Sequence, residues 1–158
     1  MILFIGEAPG EQEDHTGLPF QGPSGRILHM MFRYTQTPFA YYITNTVGCR
    51  PILQITETHV ENREPTPEER TACKPRLDQL VLQHTFEGVV YLGKIAENYR
   101  AKEFHGPRNL FTRTITLLPP AAIARMEFKL GAIKTQARKL EQYVVSTTEV
   151  RTKTPDRR

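Results

Sequence analysis

The residues best suited to chemistry lie in Gly6-Glu7-Ala8-Pro9-Gly10-Glu11, a loop that follows an apolar run and precedes Glu13, Asp14, Gly17, Pro19, Phe20, Gly22, Ser24 and Gly25. Glycines let a backbone approach a ligand closely, and the N–H groups of such a loop can hold an anion. Glu7 offers a carboxylate that can orient water or polarise a neighbour, or that simply sits solvated on a loop. Neither the dinucleotide spacing G-x-G-x-x-G nor the Lys-Ser/Thr ending of a phosphate loop is present, which argues against a nucleotide cofactor and against nucleotide hydrolysis or transfer. Asn45 carries an amide with both a carbonyl acceptor and an NH₂ donor, although Asn is also a common turn residue at a strand end. His29 and His105 read as surface or packing histidines.

The elements that must position these residues alternate. Ile2 to Ile5, Tyr41 to Thr44, Gly88 to Leu92 and Thr112 to Leu118 are short, rich in β-branched and aromatic residues and bounded by Gly, Pro or Asn, so each is expected to be a strand. Ser24 is expected to cap a helix through Ile27, Leu28, Met31 and Phe32. Thr66, with Pro67 first in the helix and Glu69 three residues on, opens another through Cys73, Leu77, Leu80 and Val81. A third helix follows Gly93, and a fourth is expected over Phe128 to Val145. Such alternation predicts an α/β fold with a parallel sheet covered on both faces, and in such sheets ligands bind beyond the carboxyl ends of the strands. Gly6 to Gly10, Asn45 to Arg50 and Leu118 to Ala122 fall at those ends. Ile52 to Pro65 reads as a long polar connection, and Thr147 to Arg158 as a frayed, basic tail.

With 158 residues, 39% of them hydrophobic, the chain suits one domain, residues 1–146, with the flexible tail 147–158 behind it. No stretch approaches the roughly 18 consecutive apolar residues of a membrane helix, and Met1 passes straight into Ile2 to Ile5 without a basic leader. A soluble cytoplasmic protein, monomeric and without membrane association, is expected. Cys49 and Cys73 are too few for a disulfide scaffold. The formal net charge of +4 fits a polyanionic partner or merely a solvated face.

GEAPGEQED, GLPFQGPSG, YITNTVGCRP, PTPEERTACKP and VVYLG occur in the order found in family 4 uracil-DNA glycosylases, over roughly Ile2 to Tyr143. The chain resembles that family. The resemblance implies a three-layer α/β/α fold with a four-stranded parallel sheet and a DNA groove across the strand ends. It implies that Phe20 is the aromatic on which an extracted base stacks, worth about 1–3 kcal/mol per base, and that Asn45 reads the pyrimidine edge. An amide there pairs with N3–H and O4 of uracil or, turned over, with N3 and the N4 amine of cytosine. The implied reaction is hydrolysis of the N-glycosidic bond through a cation-like sugar, with Glu7 and Asn45 as catalytic residues. Gly6, Ala8, Pro9 and Gly10 then line the base, and backbone N–H groups of that loop stabilise its departing charge. Ser24, Arg50, Pro119, Pro120, Ala121 and Arg125 are the expected DNA contacts, with Pro and Ala able to wedge between base steps.

Three departures from the family shape the expectations. Family 4 members hold an iron–sulfur cluster on four cysteines, of which only Cys49 and Cys73 have counterparts here, so no metal and no other cofactor is expected. The separation of these two cysteines is longer than the family's, which makes Ile52 to Asn62 an insertion that braces the missing cluster's place or touches DNA. The family's His-Pro-Ala loop appears as Pro119-Pro120-Ala121-Ala122, and Pro119 has no side-chain donor to aim at the base. Losing one such donor typically costs about 10²–10³ in rate. Ala8 and Gly10 stand where better-known relatives outside family 4 carry an Asp and a bulky Tyr, leaving the C5 side of the pocket open. The expected function is therefore removal of uracil or a C5-substituted, phage-type pyrimidine from DNA; a DNA-binding module that kept the pocket and lost turnover is the alternative.

Overall fold

The computed structural model describes residues 1–103 and 113–153. His105, Thr112 and the last five residues of the expected tail lie outside them. Strands β1 (Ile2–Gly6), β2 (Tyr41–Asn45), β5 (Gly88–Leu92) and β6 (Thr114–Leu117) form one parallel sheet in the order β2-β1-β5-β6. The register sets Gly6 beside Asn45 and Leu92 beside Leu117, so all four strands end at one edge of the molecule. β1 and β5 are buried at every position, as central strands covered on both faces must be.

Side chains of the strands alternate between two cores. Ile2, Phe4, Val90, Leu92 and Leu117 pack on α2 (Pro23–Tyr34), α5 (Pro120–Ala124) and α6 (Lys129–Lys153). Leu3, Ile5, Val89 and Tyr91 pack on α3 (Pro67–Gln83) and α4 (Lys94–Glu103). The result is the expected α/β/α sandwich. Thr66 caps α3 as its sequence predicts: its hydroxyl accepts from Glu69 N–H at 3.2 Å, and the Glu69 carboxylate accepts from Thr66 N–H at 2.8 Å.

Three expectations are corrected and one element is added. Ser24 does not cap α2; Gly22 does, because Pro23, with its fixed φ, already suits the first helical position. The connection from Ile52 to Pro65 contains an antiparallel hairpin, β3 (Ile52–Gln54) with β4 (Val60–Asn62). A short helix, α1 (Glu11–Thr16), follows the first loop. The last helix does not stop at Val145: α6 runs to Lys153, so a boundary at residue 146 falls inside it, and Thr147 is buried. The Thr147 and Thr148 hydroxyls donate to the carbonyls of Tyr143 and Val144, four residues back, at 2.8 and 2.9 Å. Bonded this way within the helix, they do not interrupt it.

Candidate active site

Beyond the strand ends lies an open cleft of about 450 Å³. It is lined by Gly6, Glu7, Ala8, Pro9 and Gly10 after β1, by Phe20 and Ser24, by Asn45 at the end of β2, and by Pro119, Pro120, Ala121 and Arg125 after β6. Of the residues expected to act in catalysis, base binding or DNA contact, all line this cleft except Arg50. That guanidinium instead braces the hairpin, its Nε donating to Asn62 Oδ1 at 2.7 Å.

The floor of the cleft is closely packed at Gly6, where any added side chain would force Asn45 or Phe20 to shift. A Cβ there would stand 2.4 Å from Asn45 Oδ1 and 2.7 Å from Phe20 Cζ. Asn45 and Phe20 therefore converge over Gly6 from two different elements. The backbone of Asn45 is pinned from both sides: Thr46 N–H donates to Gly6 O at 2.9 Å, and Arg76 on α3 donates to Asn45 O at 2.6 Å and to the Thr44 hydroxyl at 3.0 Å. Its side-chain oxygen Oδ1 is buried and has no hydrogen-bond partner. An orphaned buried acceptor is costly and calls for a partner.

Phe20 is held in a left-handed backbone conformation, φ +57°. Non-glycine residues adopt this rarely, and they persist there when their surroundings over-determine them. Gly25 does so, since a Cβ on it would fall 1.7 Å from Phe20 O. Glu13 fixes the rest of the loop. Its carboxylate accepts from Gly10 N–H at 3.0 Å, Gln21 N–H at 2.8 Å and Gly22 N–H at 3.0 Å, tying the first loop to the start of α2. Burial pushes the Glu13 carboxyl up, but the backbone N–H groups led by Gly22 outweigh it and hold the group below the ordinary carboxylate value. Sequence reasoning missed this role; the one signal was the spacing of Glu13 three residues after Gly10, that of a helix-capping carboxylate.

Glu7 is half-buried at the mouth of the cleft. Burial, and then the Glu64 carboxylate, push its carboxyl above the ordinary value, while Arg70 pulls it down. Glu64 is itself ion-paired with Arg70 and lines the cleft with Asn62 and Arg63, three residues that sequence reasoning did not assign to the site. They arrive there because Arg63 clamps the hairpin. Its guanidinium meets Glu69 through two bonds of 2.8 and 2.7 Å, and its Nε donates to Ile52 O at 3.0 Å.

A family model for the uracil DNA glycosylase superfamily matches residues 1–144. The chain belongs to that superfamily. Among curated relatives, it is 38% identical over 100 residues to a type-4 uracil-DNA glycosylase of Sulfurisphaera tokodaii, an alignment covering 62% of this chain and 42% of that protein. It is 45% identical over 73 residues to the type-4 enzyme of Thermotoga maritima, covering 46% of this chain and 34% of the relative. The chain spans less than half the length of these relatives. The superfamily fold is shared with the crystal structure of wild-type Pedobacter heparinus SMUG2, with a TM-score of 0.66 and 16% identity over 94% of this chain and 76% of that one.

Type-4 resemblance brings with it an iron–sulfur cluster on four cysteines, and the residues present do not fit one. Cys49 is exposed, while Cys73 is half-buried with its Sγ accepting from Gly48 N–H at 3.4 Å. Among the described residues no group of three or more His, Cys, Asp or Glu is placed to hold a metal ion, and no helix is long and apolar enough to cross a membrane.

Proposed function

We propose that this member of the uracil DNA glycosylase superfamily hydrolyses the N-glycosidic bond of uracil, or of a pyrimidine substituted at C5, flipped out of DNA. The observation that carries the reading is the unpartnered, buried Asn45 Oδ1 beside Phe20 at the strand ends. A pyrimidine stacked on Phe20 satisfies that oxygen with N3–H, if it is a uracil, or with an N4 amine, if it is a cytosine. Gly10 itself puts no side chain toward the C5 side of such a base, although the Glu13 carboxylate lies 2.9 Å from where its Cβ would be. Hydrolysis needs a water oxygen to bond to C1′ as the bond from C1′ to N1 breaks, the base leaving with the electron pair. Backbone N–H groups of the first loop favour that developing charge, and Glu7 in its carboxylate form takes the water's proton.

Pro119 supplies no donor for the leaving base. It starts α5 and packs over Gly93, whose added Cβ would lie 2.9 Å from Pro119 Cγ. This favours bases that leave easily over plain uracil, and it is the one observation that supports the second reading, a base-binding module without turnover. Incubation of the protein with duplexes carrying uracil, 5-substituted uracils or 5-substituted cytosines, followed by alkali, tests the two. Strand breaks at a modified base support the glycosylase; intact strands across the whole panel, with DNA still bound, support the module.

If Glu7 acts as the base, activity requires its ionised form, so kcat/KM falls as pH drops through its raised pKa. The acid limb is expected at a higher pH than the ordinary value of 4.5 for a Glu. Glu64→Gln removes a charge that raises that pKa, so the limb should move to lower pH; an unmoved limb would take Glu7 out of the reaction. The proposed chemistry needs no metal. The purified chain is expected to be colourless, and iron analysis giving about four atoms per chain would overturn this.

A further inference from the structure

The wall of the cleft at Gly10 is polar, and side chains from two separate elements build it. A Cβ on Gly10 would stand 2.9 Å from Glu13 Oε2 and 3.9 Å from Asn62 Nδ2, so a carboxylate oxygen and an amide nitrogen face the same spot. All three residues line the cleft. Arg50 decides which end of the Asn62 amide faces Gly10. A guanidinium has no acceptor, and its Nε donates to Asn62 Oδ1 at 2.7 Å, so the amide cannot turn over and its NH₂ is left toward the cleft. Asn62 is anchored at the base of the hairpin, in register with Ile52, and its Nδ2 makes no hydrogen bond among the described residues. Glu13 Oε2 also has capacity left. A carboxylate offers about four lone-pair sites. The N–H groups of Gln21 and Gly22 take those of Oε1 and that of Gly10 takes one on Oε2, so the vacant site belongs to the oxygen that faces this spot.

An open acceptor beside an open donor selects a small group that is both. A hydroxyl donates to Glu13 Oε2 and accepts from Asn62 Nδ2, whereas a methyl does neither and strips both polar atoms of water. We propose that Glu13 and Asn62 are a specificity-determining pair, admitting a pyrimidine with a hydroxymethyl group at C5 and rejecting thymine. The proposal rests on the reading of the cleft as a base pocket whose C5 edge meets Gly10. That reading creates a requirement: a glycosylase with no bulky side chain at this edge must still spare thymine, the 5-methylated pyrimidine of ordinary DNA. Here the exclusion comes from polarity instead of bulk. A site built to hydrogen-bond a substrate hydroxyl rejects the analogue lacking it far more strongly than an apolar pocket rejects an extra methyl. Uracil, with hydrogen at C5, leaves room for a water to make the same two bonds.

Competition binding by fluorescence anisotropy tests this, with duplexes that differ in one 2′-fluorinated, hydrolysis-resistant nucleotide carrying uracil or cytosine with either methyl or hydroxymethyl at C5. For at least one of the two bases, hydroxymethyl is expected to bind about tenfold or more tighter than methyl. Asn62→Asp keeps the oxygen that Arg50 holds and exchanges the free NH₂ for a second acceptor, so the hairpin keeps its brace and the variant should melt with the wild type. It is expected to narrow the preference to about threefold or less. Hydroxymethyl and methyl within about threefold of each other for both bases in the wild type would overturn the proposal. So would a preference that Asn62→Asp leaves intact. Excision from duplexes without the fluorine, plain uracil included, separates this from the reading beneath it. If the wild type releases uracil without preferring hydroxymethyl to methyl, only the pairing of Glu13 with Asn62 falls; if it releases no base and binds every duplex alike, the base pocket falls with it.

Discussion

Asn45→Ala is expected to lower base excision at least a hundredfold while leaving the affinity for undamaged DNA nearly unchanged. A site built to hydrogen-bond its substrate loses discrimination and rate together when the polar group is removed, typically by about 10²-fold or more. Affinity for unmodified duplex rests on phosphate contacts, which Asn45 does not make. The stability of the variant is the sharper part of the prediction. Because Asn45 Oδ1 has no partner within the protein, its removal breaks no internal bond at that atom and relieves an orphaned buried acceptor. Unfolding free energy by denaturant titration should stay within about 1 kcal/mol of wild type. If Asn45→Ala mainly unfolds the protein, the amide is a structural strand-end residue and the assignment of the pocket is wrong.

Gly25→Ala is expected to abolish excision from a distance and to destabilise the fold by about 3 kcal/mol or more. Its Cβ would meet the backbone oxygen of Phe20 at 1.7 Å and the carbonyl carbon at 2.4 Å, and backbone cannot step aside as a side-chain tip can. Either α2 shifts or Phe20 leaves its left-handed conformation, and in both cases the stacking ring is displaced from Asn45. Gly17→Ala provides the contrast. Gly17 also has a positive φ, +70°, but nothing lies within 4 Å of an added Cβ, so only backbone strain of about 1–2 kcal/mol applies. Parallel melts and single-turnover assays should rank Gly25→Ala far below Gly17→Ala; equal effects would mean that the contact with Phe20 does not matter.

The sheet was legible because its four strands are short apolar runs punctuated by Gly, Pro and Asn, and because alternation with helical patterns leaves few topologies. Placing Gly6 to Gly10, Asn45 and Pro119 to Ala121 at one edge followed from that topology alone. The hairpin was not legible: its strands are three residues each, solvated on their faces, and joined by no characteristic two-residue turn. The length of α6 was misjudged because Thr147 and Thr148 look like a helix end until their hydroxyls are seen to bond back to Tyr143 and Val144. The role of Glu13 depends on contacts eight and nine residues away, to Gln21 and Gly22, which local pattern does not encode. The left-handed conformation of Phe20 likewise arises from packing on Gly25 rather than from any preference of phenylalanine.

The central claim is that a pyrimidine seated between Phe20 and Asn45 is cut from its sugar. Fluorine NMR of a duplex carrying one 5-fluorouracil, mixed with stoichiometric protein, tests it most directly, since 5-fluorouracil is a C5-substituted uracil of the proposed substrate class and leaves more readily than uracil. The account predicts that the DNA-linked fluorine resonance is replaced by that of the free base with wild-type protein and persists with Asn45→Ala. A resonance that stays DNA-linked with the wild type, while binding is evident from its broadening, would contradict it.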